Sequence, residues 1–171
     1  MDILTDLYNK RTFWELLEPA LKTYLQDDRE NSSPRLFLCV FVLNNFKMIN
    51  DTYGHMAGDK ILIEFSRRLS QELSCKDFAS RFGGDEFVAA IYSTTDFSQK
   101  LAQFKQALEG SYAVGERRLP ISVSIGAISP EAKMLCEKPQ HLTLGEFFLE
   151  KVDMAMYSEK NLFHRHEAGN S

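Results

Sequence analysis

Two apolar runs, "DFASRF" and "EFVAAIY", meet through Gly83, Gly84 and Asp85, and this junction constrains the fold more than any other stretch of the chain. Glycine accepts the positive φ that a tight turn demands, so runs joined in this way form an antiparallel hairpin. Around it the pattern alternates between helix and strand. Phe13, Leu16, Leu17, Leu21, Tyr24 and Leu25 recur at helical spacing and predict a helix over Lys10 to Leu25. "RLFLCVFVL", Arg35 to Leu43, is short and continuously apolar, which suits a central strand covered on both faces. Leu62, Phe65, Leu69 and Leu73 predict a helix from about Gly58, with Asp59 in its first turn. Asp96 is placed to cap a helix reaching about Glu109, and Ile121 to Ser129 alternates like a strand entering a glycine bend. Thr143 and Glu146 have capping-box spacing ahead of an apolar face made by Phe148, Val152, Ala155 and Met156. A hairpin inside such an alternation predicts a mixed α/β (α+β) sheet with helices packed on it more than an all-parallel doubly wound sheet.

The 171 residues fit a single domain spanning 1–171, and the polar stretch "DDRENSSP" reads as a surface loop rather than a linker. With 44% hydrophobic and 26% charged residues the chain is expected to fold. A formal charge of −4 leaves no basic footprint for nucleic acid. The longest apolar run, Leu36 to Leu43, is eight residues, far below the ~20 that span a bilayer, so no membrane segment is expected in this chain. Cys39, Cys75 and Cys136 form no CxxC pair, which argues against a zinc site or disulfide framework and suits a cytoplasmic setting. His164 and His166 near the end read as a solvated tail.

The tip Gly83-Gly84-Asp85-Glu86 taken alone is as readily a charged turn as an active site. Its surroundings are more specific. From "DILTDLYNKRTF" through "FKMINDTYGHMAGD" and "RFGGDEF" to "VDMAMYSEK", the chain resembles the GGDEF family of diguanylate cyclase domains over nearly its whole length. That resemblance implies a nucleotide-cyclase or polymerase-palm fold with an antiparallel-centred, five-stranded sheet flanked by helices. It also implies GTP as ligand, a second GGDEF domain for catalysis, and Mg²⁺ or Mn²⁺ as cofactor in an active member. By the same resemblance, Asp85 binds metal and takes the principal catalytic role, with Glu86 as a second acidic participant and the Leu43 carbonyl as a further metal ligand. Gly83 and Gly84 let the backbone approach the α-phosphate. Asn50 and Asp59 match the guanine-reading positions, since a carboxylate accepts from the guanine N1–H and 2-amino groups while an amide meets the remaining polar atoms. Lys47 and Lys160 match phosphate lysines, and the amides of Asn45, Phe46 and Lys47 form a phosphate cradle where the chain turns into helix. Because the first motif begins at Asp2, the domain is expected to belong to a larger signalling protein carrying a sensor or an EAL module, and that whole protein could be membrane-attached.

Departures from the pattern divide these expectations. Where the family has Asp-x-Asp-x-Phe-Lys, this chain has Val42-Leu43-Asn44-Asn45-Phe46-Lys47, so both aspartates are missing and valine offers a metal no oxygen. His164 stands where an arginine closes the phosphate clamp, with Arg165 one place on. Ser74-Cys75-Lys76-Asp77 replaces the Arg-x-x-Asp of the product-inhibition site, and serine cannot make the bidentate guanidinium contact. The sequence therefore predicts a guanine-nucleotide-binding domain with a weakened metal site and lost or severely reduced cyclase activity. The alternative is an active cyclase condensing two GTP to cyclic di-GMP.

Overall fold

The computed structural model describes residues 1–27 and 34–169, with side chains described as far as Tyr157. Strands β1 (Arg35–Leu43), β2 (Phe78–Gly83), β3 (Glu86–Ser93) and β6 (Val123–Ile128) form one sheet in the order β2-β3-β1-β6. β1 pairs antiparallel with both β3 and β6, which puts the most apolar segment at the centre. The chain also forms helices α1 (Lys10–Gln26), α2 (Phe46–Tyr53), α3 (His55–Glu72), α4 (Phe97–Leu108) and α5 (Leu144–Gly169) and strands β4 (Gly110–Val114) and β5 (Arg117–Ile121).

The core has two layers because β1 buries side chains on both faces. Phe37, Phe41 and Leu43 pack with Phe87, Phe65, Ile61 and Phe104 under α3 and α4, whereas Leu38, Val40 and Val42 pack with Val88, Phe13, Phe148 and Val152 under α1 and α5. Leu16, assigned to the buried stripe of α1 by spacing, is 38% exposed, since the stripe that meets the sheet is Phe13, Leu17 and Leu21. α1 passes through Pro19 on its exposed side, where the carbonyl that loses its partner can reach water. α5 lies close on β6, since a Cβ at Gly126 would come within 2.6 Å of the Met156 backbone nitrogen. Its start is the predicted capping box: Glu146 N–H donates to Thr143 Oγ1 at 3.1 Å and Thr143 N–H donates to Glu146 Oε1 at 3.2 Å. Glu18 of α1 adds two acceptors, to the amides of Leu144 and Gly145.

Three expectations are corrected. The sheet has four strands rather than five, with β4 and β5 forming a separate two-stranded ribbon. The run from Ile121 to Ser129 is not one strand, because Ser122 makes a corner whose carbonyl accepts from the Asn44 amide at 3.0 Å and hands the chain from ribbon to sheet. Asp96 occupies the N-cap of α4, but its side chain makes no cap hydrogen bond. Cys39 is buried and its thiol is pushed up to about 12 by burial, while Cys75 and Cys136 are exposed. No described helix is long and apolar enough to cross a membrane.

Candidate functional site: the glycine hairpin and the end of the central strand

The β2–β3 turn has Gly83 at φ 148° and Gly84 at φ 51°, with open space around both, so conformation and not crowding requires glycine. Asp85 and Glu86 follow, both half-buried. The Leu43 N–H donates to the Asp85 carbonyl at 3.3 Å, and Val42 stands directly opposite Glu86 in the β1–β3 register. The structure thus brings Leu43, Asp85 and Glu86 together where β1 ends. The next residues are Asn44 and then Asn45 in left-handed conformation (φ 60°), after which α2 begins at Phe46. Phe46 buries its side chain and leaves only its backbone for a ligand, whereas Lys47 is exposed. The amides at this helix start, like those of any helix N-terminus, lack partners within the helix.

Asn50 and Asp59 occupy adjoining helices. α3 starts at His55, three residues earlier than the periodicity suggested, so Asp59 lies one turn into the helix with its side chain exposed. Asn50 is half-buried, and its Oδ1 is a buried acceptor with no hydrogen-bond partner among the described residues. It rests against Gly58, where any Cβ would collide with Asn50 Oδ1 and Cγ. The glycine before Asp59 therefore keeps room for the carboxamide. Lys160 lies in α5, but its side chain is outside the described residues, as are those of His164, His166 and Arg165.

The vacated aspartate positions have new surroundings. Val42 is 6% exposed and belongs to the apolar cluster under α1 and α5. Asn44 is laced to β6: its Nδ2 donates to Ser122 Oγ at 3.1 Å and its Oδ1 accepts from Ser124 Oγ at 2.8 Å. Among the described residues no three His, Cys, Asp or Glu side chains are grouped to hold a metal ion. A hard cation needs several oxygens, and here the residue opposite Glu86 is a valine while the Asn44 amide is occupied by two serines of the β6 side. The residues present do not fit the family's magnesium site. At the product-inhibition position, Asp77 Oδ2 accepts from Ser74 N–H and Oγ while Oδ1 accepts from Tyr92 N–H at 2.8 Å, so its carboxylate is engaged locally.

One part of the site escaped the sequence reading. Arg81 Nε donates to the Gly84 carbonyl at 3.1 Å, and its Nη1 lies 3.6 Å from Asp2 Oδ1. Asp2 also accepts from Thr5 N–H and Oγ1. Burial pushes the Asp2 carboxyl up, but the Thr5 hydrogen bonds and the Arg81 charge outweigh it and hold the group below its ordinary value. The residues that open the chain therefore brace the turn. Both ends of this brace sit inside motifs already recognised, yet no spacing rule links positions so far apart. Behind the turn, Lys10, Trp14, Phe82, Glu86, Glu150 and Asp153 border a cleft of about 460 Å³ between α1 and α5.

Antiparallel strands around an apolar centre, with an acidic glycine turn beside the mouth of a helix, define the palm-like fold of nucleotide cyclases. The chain belongs to the GGDEF family, whose profile, "Diguanylate cyclase, GGDEF domain", matches residues 1–165. It is 30% identical over 164 residues to the diguanylate cyclase DgcP of Escherichia coli, covering 93% of this chain and 44% of that protein. It is 35% identical over 165 residues to the signaling protein YkoW of Bacillus subtilis, covering 93% of this chain and 19% of that protein. The chain therefore spans less than half the length of these relatives. A sensory box/GGDEF family protein from Caulobacter crescentus matches in structure with a TM-score of 0.76 at 29% identity, covering 94% of this chain and 97% of that one.

Proposed function

We propose that this GGDEF domain binds a guanine nucleotide, with GTP as the expected ligand, and that its diguanylate cyclase activity is lost or severely weakened. The observation that carries the binding half is Asn50, whose buried Oδ1 has no partner among the described residues and packs directly against Gly58, which leaves room for the carboxamide. A buried acceptor left unpaired costs about 1–3 kcal/mol, which a ligand donor would recover. Asp59, Lys47 and the amides of Asn45 and Phe46 extend that reading toward the base and the phosphates, and Lys160 would add a second phosphate cation. The loss of catalysis is supported by Val42 opposite Glu86 and by the Asn44–serine lacing. The carboxylate donors that a magnesium-dependent step needs are missing at positions 42 and 44.

In a larger protein such a domain would report guanine-nucleotide level to a neighbouring sensor or EAL module within cyclic di-GMP signalling. Engagement of Asp77 by Ser74 and Tyr92 supports the absence of product feedback. The second reading, an active cyclase, draws on the Leu43–Asp85 backbone bond, which keeps the Leu43 end of β1 beside Asp85 and Glu86. The test is cyclic di-GMP formation from GTP by wild type and by Val42→Asp/Asn44→Asp, with Mg²⁺ or Mn²⁺, at rising protein concentration because the reaction joins two domains. Silence in wild type with activity in the double variant is the expected outcome. Wild-type turnover abolished by Asp85→Ala would establish the active reading instead. GTP binding, measured separately, should be lost in Asp59→Ala.

A further inference from the structure

On the far side of α3 from the sheet, a second cleft of about 360 Å³ is lined by Lys60, Ile63, Glu64 and Arg68 of α3 with Ala113 and Arg118 of the β4–β5 ribbon. Two guanidinium groups converge there. Arg68 Nη2 donates to the Ser111 carbonyl at 2.9 Å, and Arg118 Nη2 donates to the same oxygen at 3.3 Å. Both are held in place from behind. Arg68 lies over the Tyr112 ring at 3.9 Å and its Nε donates to Glu64, while Arg118 Nε donates to Ser111 Oγ at 2.7 Å. Tyr112 is itself fixed by its hydroxyl bond to the Leu108 carbonyl at 2.6 Å.

Like charges held this close repel, and the one carboxylate in the cleft does not balance them. Glu64 receives Arg67 on both oxygens, at 2.8 and 2.7 Å, as well as Arg68 at 3.0 Å. Arg118 has no carboxylate partner among the described residues, and Lys60 is exposed beside it. A chain of net charge −4 thus concentrates cations at one concave spot. Each guanidinium still has N–H donors to give in a planar fork, the arrangement that matches the oxygens of a phosphate.

We propose that this cleft between α3 and the β4–β5 ribbon is a second ligand site that takes the phosphate group of a small phosphate monoester, with Lys60, Arg68 and Arg118 as its donors. Ile63, 47% exposed, and Ala113 give the body of the ligand an apolar wall, and the volume exceeds what a bare phosphate needs. The site shares no residue with the guanine position and does not rest on the nucleotide reading.

Amide NMR titration of the whole chain with ribose 5-phosphate and with inorganic phosphate tests the assignment residue by residue. The expected result is saturable shifts at Lys60, Ser111, Ala113 and Arg118, reaching half-maximum below about 10 mM. Arg118→Gln and, separately, Lys60→Gln should weaken binding at least about tenfold, Lys60→Gln with melting temperature unchanged. Lys60 carries no described contact that its loss could disturb, so its variant guards against misfolding of the first. Stronger binding of ribose 5-phosphate than of phosphate supports the monoester; saturation by inorganic phosphate alone overturns the monoester and leaves a free-phosphate site. Absence of saturable shifts with both probes, or an unaltered response in both variants, overturns the site altogether. Shifts confined to Asn45, Phe46 and Lys47 would belong to the phosphate cradle and would equally overturn it.

Discussion

At the scale of single residues, Gly58 and Asn44 carry the clearest consequences. A Gly58→Ala change at the end of the first turn of α3 would ordinarily stabilise a helix by up to about 1 kcal/mol. Here the added methyl meets the Asn50 carboxamide and must push it from its place. Guanine-nucleotide binding should therefore fall roughly tenfold or more, measured by calorimetry, with little gain in melting temperature. A raised melting temperature with unchanged binding would show that Asn50 moves aside freely. Asn44 makes the opposite kind of statement. Replacing it with alanine strands Ser124, 1% exposed, and Ser122 without their partner. Urea unfolding should show a loss of about 2 kcal/mol. Asn44→Asp should cost less, because a carboxylate can accept from both hydroxyls. The family's aspartate could thus be restored without tearing β1 from β6.

At the scale of elements, the hairpin depends on a segment far from it in sequence. The Asp2–Arg81–Gly84 contacts join the start of the chain to the turn that presents Asp85 and Glu86. Because the folded-state value of Asp2 lies below the ordinary 3.8, its stabilisation is present above that value and is lost as pH falls through the folded one. Melting of wild type and Asp2→Asn should differ at pH 7 and converge in acid below about 3.8. A gap that persists at low pH would mean that the carboxylate charge plays no part. The spacing of apolar residues made α1, β1, the hairpin and α5 legible, since each buries a face with its own period. The positions of Asn50 and Asp59 and the acidic turn were legible through their motifs. The Ser122 corner was not, because it depends on tertiary hydrogen bonds to Asn44 rather than on local pattern. The Asp2–Arg81 brace and the Arg68–Arg118 convergence were hidden for the same reason: each joins residues that only the folded sheet brings together.

At the scale of the whole molecule, the two apolar layers are not independent. β1 and β3 contribute alternate side chains to both, with Phe41 and Phe87 on one face and Val40 and Val88 on the other. Losing either layer exposes half of the same strands, so the sheet cannot keep one face folded while the other melts. The chain's sole tryptophan, Trp14, sits against Phe82 on the α1 side and reports only that layer. Far-ultraviolet circular dichroism reports both. If the layers unfold as one unit, fluorescence and dichroism should give a single coincident urea transition. Phe148→Ala beneath α5 and Phe65→Ala beneath α3 remove fully buried rings on opposite faces, and each should cost about 3–5 kcal/mol. Both variants should move the two signals together. A Phe65→Ala protein whose dichroism midpoint fell while Trp14 fluorescence held its own would show that the layer carrying α2 and α3 can open alone, and the shared-strand argument would fail.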